Sequence, residues 1–336
     1  MHPSPTDTYK RHIDYLRLSI TDRCNLRCIY CMPQEGVPKL SHDEVLRYEE
    51  ILRLADIAIA MGIRKIRITG GEPLVRRDVI HLCTRIAQLP GIESLTLTTN
   101  ARLLAEHAER LHQAGVQRIN ISLDTLNPQK YARITRCDCF HEVWRGIEIA
   151  QRIGFHPIKL NVVAMRGIND DEIEGLGALT KHHPFHVRFI EHMPVRSDPD
   201  AGQGLFLASD EILQRLRRLG PLWEVDSRNS NGPARHYQLA GAVGKIGIIS
   251  PISHHFCATC NRLRLTADGK LRTCLFASEE TDLQRPLRQG ATNEELAAII
   301  TDAIRKKPAK HPLDSPASTE NPPRKCLNRP MAAIGG

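Results

Sequence analysis

No run of about 18 consecutive apolar residues occurs in the 336-residue chain, which argues against an ordinary membrane-spanning helix. The opening MHPSPTDTYKRH lacks the apolar stretch of a secretory leader, so a cytoplasmic or equally reducing compartment is expected. Aromatic residues are few, at 4%, whereas 41% hydrophobic and 25% charged residues are ordinary for a soluble folded chain. Disulfides are not expected, because the ten cysteines are clustered and a reducing compartment does not maintain such bonds. The clusters themselves lack a fourth member. Cys24, Cys28 and Cys31 stand in C-x3-C-x2-C spacing with no fourth ligand in their loop, and Cys257, Cys260 and Cys274 form C-x2-C-x13-C with no further cysteine before Cys326. A self-contained tetrahedral zinc site would need that fourth ligand. His254 and His255 are the local candidates for completing one at the second group.

The length suggests two domains, or one large α/β barrel with an appendage. A formal charge of +8 fits an anionic partner such as a nucleotide or a nucleic acid, and equally a merely basic surface. Short strand-like runs at 15–21, 65–70, 94–100, 118–124, 158–165 and 186–193 alternate with amphipathic helical stretches, as in Asp43–Met61. Ser41–Glu44 and Asn169–Glu172 read as capping boxes at helix starts. Alternation of this kind implies a parallel sheet with helices outside it, and six units predict an incomplete, TIM-like (β/α)6 barrel.

After about residue 200 the pattern changes, and a C-terminal extension is expected to carry the second cysteine group. The expected division is an N-terminal arm (1–12), the partial barrel (13–225), a cluster- and substrate-binding region (226–305) and a tail (306–336). The run RLRLTADGKLRTC reads as a hairpin with Asp268 and Gly269 as a two-residue loop, which would set Leu263 opposite Cys274. The tail is rich in Pro, Lys and Ser and ends in Gly335-Gly336.

Three thiolates suit a [4Fe–4S] cluster with one iron left open to chelate a small ligand. On the loop after the first barrel strand, this spacing resembles the radical S-adenosylmethionine (SAM) enzymes, and GGEP (Gly70–Pro73) after the second strand resembles their segment that holds the methionine amino group. The second three-cysteine group, the C-N-R-x-R run across Cys260–Arg264 and the terminal Gly-Gly make the whole chain resemble the GTP 3′,8-cyclase family of molybdenum cofactor synthesis.

That resemblance implies two [4Fe–4S] clusters, on Cys24, Cys28 and Cys31 and on Cys257, Cys260 and Cys274. It implies SAM contacts at Tyr30, Gly71, Ser122 and Met193. For GTP it implies Arg17, Arg67, Thr98, Lys159, Arg262, Leu263 and Arg264, with Lys65 and Arg188 as further candidates. Gly335 and Gly336 would form a catalytic tail. Reductive cleavage of SAM would yield a radical that takes the ribose 3′ hydrogen, and C3′ would then attack guanine C8. A low-potential electron donor and a downstream cyclic pyranopterin monophosphate synthase are implied as partners. No nucleic-acid or membrane partner is implied, and monomer and homodimer stay open.

Independently of the resemblance, Arg17, Arg67 and Lys159 stand inside otherwise apolar strands, where a charge is costly unless it faces a polar cavity. Cys83, Cys137, Cys139 and Cys326 fall outside both groups and are expected as free thiols. Two rival readings stand beside this one: another radical SAM enzyme acting on a peptide or RNA, and, more remotely, a zinc-containing nucleic-acid-binding protein.

Overall fold

A computed structural model describes residues 5–193, 204–225, 232–311 and 329–335. The six expected strands form as β1 (Tyr15–Ser19), β2 (Lys65–Thr69), β3 (Ser94–Thr99), β4 (Arg118–Ser122), β5 (Lys159–Ala164) and β6 (His186–Glu191). They pair in parallel, in chain order, with helices between them. Leu16, Leu18, Ile66, Ile68, Leu97, Ile119, Ile121 and Leu160 point outward under those helices and form the main core. Residues of the opposite parity point into the barrel. The fold is the expected open, partial barrel.

The C-terminal half extends this sheet at both edges. From it come β7 (Leu222–Val225), β8 (Arg235–Leu239), β9 (Lys245–Ile249), β10 (Arg262–Leu265), β11 (Lys270–Arg272) and β12 (Thr281–Asp282). The strand order is β12-β11-β10-β1-β2-β3-β4-β5-β6-β9-β8-β7. Parallel pairing of β10 with β1 and of β9 with β6 lets the extension widen the barrel on each side.

Three local expectations differ from the structure. The first helix spans Tyr48–Ala60 and does not begin near Asp43. Glu44 does accept from the Ser41 amide at 2.8 Å, but Leu46 then donates to the Ala267 carbonyl, which ties this stretch to the β10–β11 hairpin before the helix starts. Asn169 and Glu172 form no capping box. The Asn169 amide group donates to the carbonyls of Asp124 and Val163, while Glu172 accepts from the Thr125 hydroxyl and the Leu126 amide. The pair therefore stitches the loops after β4 and β5.

The hairpin register is also one residue off the expectation, since Arg264 faces Arg272 and Leu265 faces Leu271. Thr266 and Lys270 close a three-residue loop, with Gly269 in the left-handed region at φ +75°. Cys274 thereby lines up with Arg262 instead of Leu263. Two short strands, β7 and β12, and the helix Asn293–Arg305 were not anticipated, although Thr292 and Glu295 make a true capping box there.

Glu191, at the end of β6, joins the barrel to the extension. It is fully buried and accepts from the amides of Ser209, Ile252 and Ser253 at 2.9–3.0 Å and from the Ser253 hydroxyl. Glu191→Ala orphans those buried donors, and a loss on the order of 3–5 kcal/mol is expected. Urea unfolding of the anaerobically purified variant checks this, and a loss below ~1 kcal/mol would count against the strut.

Candidate active site

Strand register builds the site. Arg17 lies opposite Arg264 on one side and Arg67 on the other, Arg67 lies opposite Thr96, and Thr96 opposite Arg118. A single row across five strands therefore carries Arg264, Arg17, Arg67 and Arg118 into the barrel. A second row runs Ser122, Asn161, Arg188, Gly247. A Cβ at Gly247 would come within 2.9 Å of Arg188 Cγ, so the glycine makes room for that side chain.

These rows line a cavity of about 460 Å³ that also takes in Tyr30, Thr98, Lys159, Met193, Arg262 and the three thiols Cys257, Cys260 and Cys274. Lys65 lines it too, paired with Asp14 at 2.8 Å. Burial and mutual repulsion dominate the electrostatics. Burial, then Arg188, Arg67 and Arg118, bring Lys159 down to about 6. Burial and Arg67 lower Arg188 to about 9, and burial and Arg262 lower Arg264 to about 10. Arg17 is pushed well down by burial and by Arg264 and Arg67. Several buried polar atoms on the wall have no hydrogen-bond partner among the described residues: Tyr15 Oη, Thr98 Oγ1, Asn161 Oδ1 and Arg188 Nε. Orphaned donors and acceptors beside crowded cations fit a large polar anion.

At the C-terminal rim, Cys24, Cys28 and Cys31 share the loop after β1. Cys31 and Met32 donate to the Cys28 carbonyl, and Ile29 and Arg27 donate to Ile134 and Thr135. The Arg27 guanidinium caps the Cys24 and Leu26 carbonyls at 2.7 and 2.8 Å. Burial pushes Cys24 up to about 11, and burial with the neighbouring Cys31 raises Cys28 well above its ordinary value. Thiols held this way become ligands when a cationic group draws off their protons. Among the described residues no three His, Cys, Asp or Glu side chains close on one ion. The thiols of each trio lie close enough to act on one another, Cys31 and Cys24 on Cys28 and Cys274 and Cys260 on Cys257, and three thiols held together suit an iron–sulfur cluster. His254 is engaged by Asp210 at 3.1 Å.

Gly71 explains the GGEP motif. A Cβ there would meet the Arg23 carbonyl oxygen at 2.4 Å, and its amide donates to the Thr21 carbonyl at 2.7 Å, so the cysteine loop rests directly on the glycine backbone. Glu72 beneath it accepts from the Asn100 and Leu74 amides and the Thr99 hydroxyl, while burial lifts it to about 7.

Tyr30 donates to Asp124 at 2.8 Å, and Asp124 also accepts from the Val163 amide. Ser122 ends β4 on the cavity wall. Met193 lines the cavity and packs, as Cys274 does, against the buried pair Phe276 and Ile334.

In the second group Cys260 is brought down to about 6, because Arg262 and Lys307 outweigh burial, whereas burial raises Cys257. Arg262 and Arg264 share one strand face, and Leu263 between them turns into the core. The tail returns to the rim: Arg329 forks onto Asp268 at 2.8–2.9 Å, and the Gly335 carbonyl accepts from Arg264 at 2.7 Å. A Cβ on Gly335, at φ +86°, would come within 2.6 Å of Thr69 Oγ1. Gly336 and Cys326 lie outside the described residues. Cys83 and Cys139 are buried free thiols and Cys137 a half-buried one. Sequence reasoning missed Arg118, Asn161 and Asp124. The first two share strand parity with Ser122 and Lys159, a signal that was available.

Residues 18–179 match the Radical SAM superfamily, and residues 185–313 match the family described as Molybdenum Cofactor Synthesis C. Among solved structures, SuiB of Streptococcus suis bound to S-adenosylmethionine superposes with a TM-score of 0.59 at 15% identity, over 85% of this chain and 67% of that one, a likeness of fold. The fold and the thiol loop are those of a radical SAM enzyme. The chain is 52% identical over 309 residues to the GTP 3′,8-cyclase of Desulforamulus reducens, covering 92% of this chain and 95% of that one. It is 47% identical over 331 residues to the GTP 3′,8-cyclase of Heliobacterium modesticaldum, covering 98% and 99%. The chain belongs to the GTP 3′,8-cyclase family, whose cofactors are SAM and two [4Fe–4S] clusters.

Gly71→Ala displaces the first cysteine loop. Iron is expected to fall from about eight toward about four per chain while the second cluster's spectrum stays. Eight irons in a folded variant would contradict the packing argument.

Proposed function

We propose that this chain cyclises GTP to (8S)-3′,8-cyclo-7,8-dihydroguanosine 5′-triphosphate inside the barrel cavity, the first step of molybdenum cofactor synthesis. The observation that carries this reading is the in-register arginine row, which lines the same cavity as the second thiol trio and Tyr30 of the first cysteine loop. When bound, the first cluster and SAM supply a radical by one-electron reduction, and the second cluster offers an open iron to the guanine.

The chain's own residues position the reactants. Arg17, Arg67, Thr98, Lys159, Arg262 and Arg264, joined by Arg118 and Arg188, neutralise and orient the triphosphate and ribose. Tyr30, with its hydroxyl fixed by Asp124, and Gly71, Ser122 and Met193 place SAM at the rim. Gly335, held by Arg264, narrows the opening there. Enclosure excludes water, and fixed orientation shortens the search for reactive geometry. Low-potential electron supply, a reducing cytoplasm and a downstream synthase for cyclic pyranopterin monophosphate complete the proposal. No helix of the described residues is long and apolar enough to cross a membrane.

Anaerobic incubation with SAM, reductant and GTP is the direct test. 5′-Deoxyadenosine is expected to form in step with GTP loss. SAM cleavage triggered by a peptide or RNA but not by GTP would overturn the reading.

Lys159 adds a pH signature. Its depressed value leaves it mostly neutral in the empty cavity near neutral pH, and a triphosphate raises it again. GTP binding at about pH 7.5 is therefore expected to take up a proton, and affinity to weaken as pH rises above about 6. Calorimetry in buffers of different ionisation enthalpy measures the uptake. Lys159→Met should abolish this proton uptake and weaken GTP binding on the order of ten- to a hundredfold.

A further inference from the structure

The second thiol group rests on two buried cations that come from opposite parts of the chain. Lys307 is 2% exposed, and its ammonium donates to the Arg262 carbonyl at 3.0 Å and to the Thr273 carbonyl. Those carbonyls belong to the two hairpin arms next to Cys260 and Cys274. Arg11, 6% exposed, donates to the Cys257 carbonyl at 2.8 Å and to Pro308 and Ala309 at 2.8 and 3.3 Å. Asp7 pairs with Arg11, so that charge is balanced locally. The charges acting on Lys307 are different. Burial acts first against the Lys307 charge, Cys260 and Cys274 favour it, and Arg11 and Arg262 oppose it, the balance lying below its ordinary value. An ammonium buried on carbonyls alone is costly unless negative charge lies beside it. Three thiolates on an iron–sulfur core supply that charge, and more of it when the core is reduced.

We propose that Lys307 and Arg11 are positioning residues for the second cluster: together they hold its three cysteine-bearing segments in one frame, and the Lys307 charge raises the cluster's reduction potential. The proposal rests on the family's second cluster and not on GTP as substrate, so it can fail while the functional reading stands.

The test is an EPR redox titration with iron analysis on the full chain, with the first cluster as internal reference. In K307M the second-cluster midpoint is expected to move to more negative potential while the first stays. K307R, which keeps the charge, should lie between K307M and wild type. Loss of about half of the iron from K307M, with the first-cluster signal retained, supports the holding role. Eight irons and two wild-type potentials in K307M would overturn the proposal, as would equal shifts in K307M and K307R. R11M gives an independent reading if K307M does not fold: selective loss of the second cluster supports the frame, and full, wild-type cluster content contradicts it.

Discussion

Parallel strands in register cannot scatter their inward side chains; residues of like parity must share a row. Here that constraint stacks Arg264, Arg17 and Arg67 on adjacent strands. Unit charges about 5 Å apart repel by about 3 kcal/mol at an effective dielectric near 20. The protein tolerates this because the opposite parity is almost wholly aliphatic and builds the core beneath the helices. Stability is thus drawn from one face of each strand, while the other is left electrostatically incomplete. On the proposed reading a polyanion completes it, and the same strands then serve both the core and the substrate.

The extension does more than carry ligands. By adding β10 beside β1 and β9 beside β6, it sets Arg264 in line with the barrel's own arginines and brings Gly247 opposite Arg188. Glu191, Arg11 and Lys307 then tie loops from both halves with buried charge-assisted hydrogen bonds. The second thiol trio consequently lines the same cavity as Tyr30 of the first cysteine loop, although the two lie more than two hundred residues apart in sequence.

Much of this was legible beforehand. The six strands were visible from apolar runs, and the cysteine groups from spacing. Arg17, Arg67 and Lys159 stood out as charges inside apolar strands. What escaped has physical reasons. Arg118 begins its strand and looks like a surface residue until the register with Thr96 is known. Asp124 acts through Tyr30, a partner ninety-four residues away. The hairpin register missed by one because Thr266 closes the loop with its hydroxyl, a choice a dipeptide rule does not see. Leu263 was grouped with its arginine neighbours, yet strand alternation sends it to the core.

The pairing of β10 with β1 also governs how the chain comes into being. β1 precedes β10 by more than two hundred residues, so one of its two ladders waits for Arg262–Leu265. Until the hairpin is made, then, the growing barrel carries an open parallel edge on the strand that bears Arg17. Such long-range closure is slow, and bare edges invite association with other chains. Arg17 is an inward-pointing charge on that edge, of the kind that discourages strand-to-strand association.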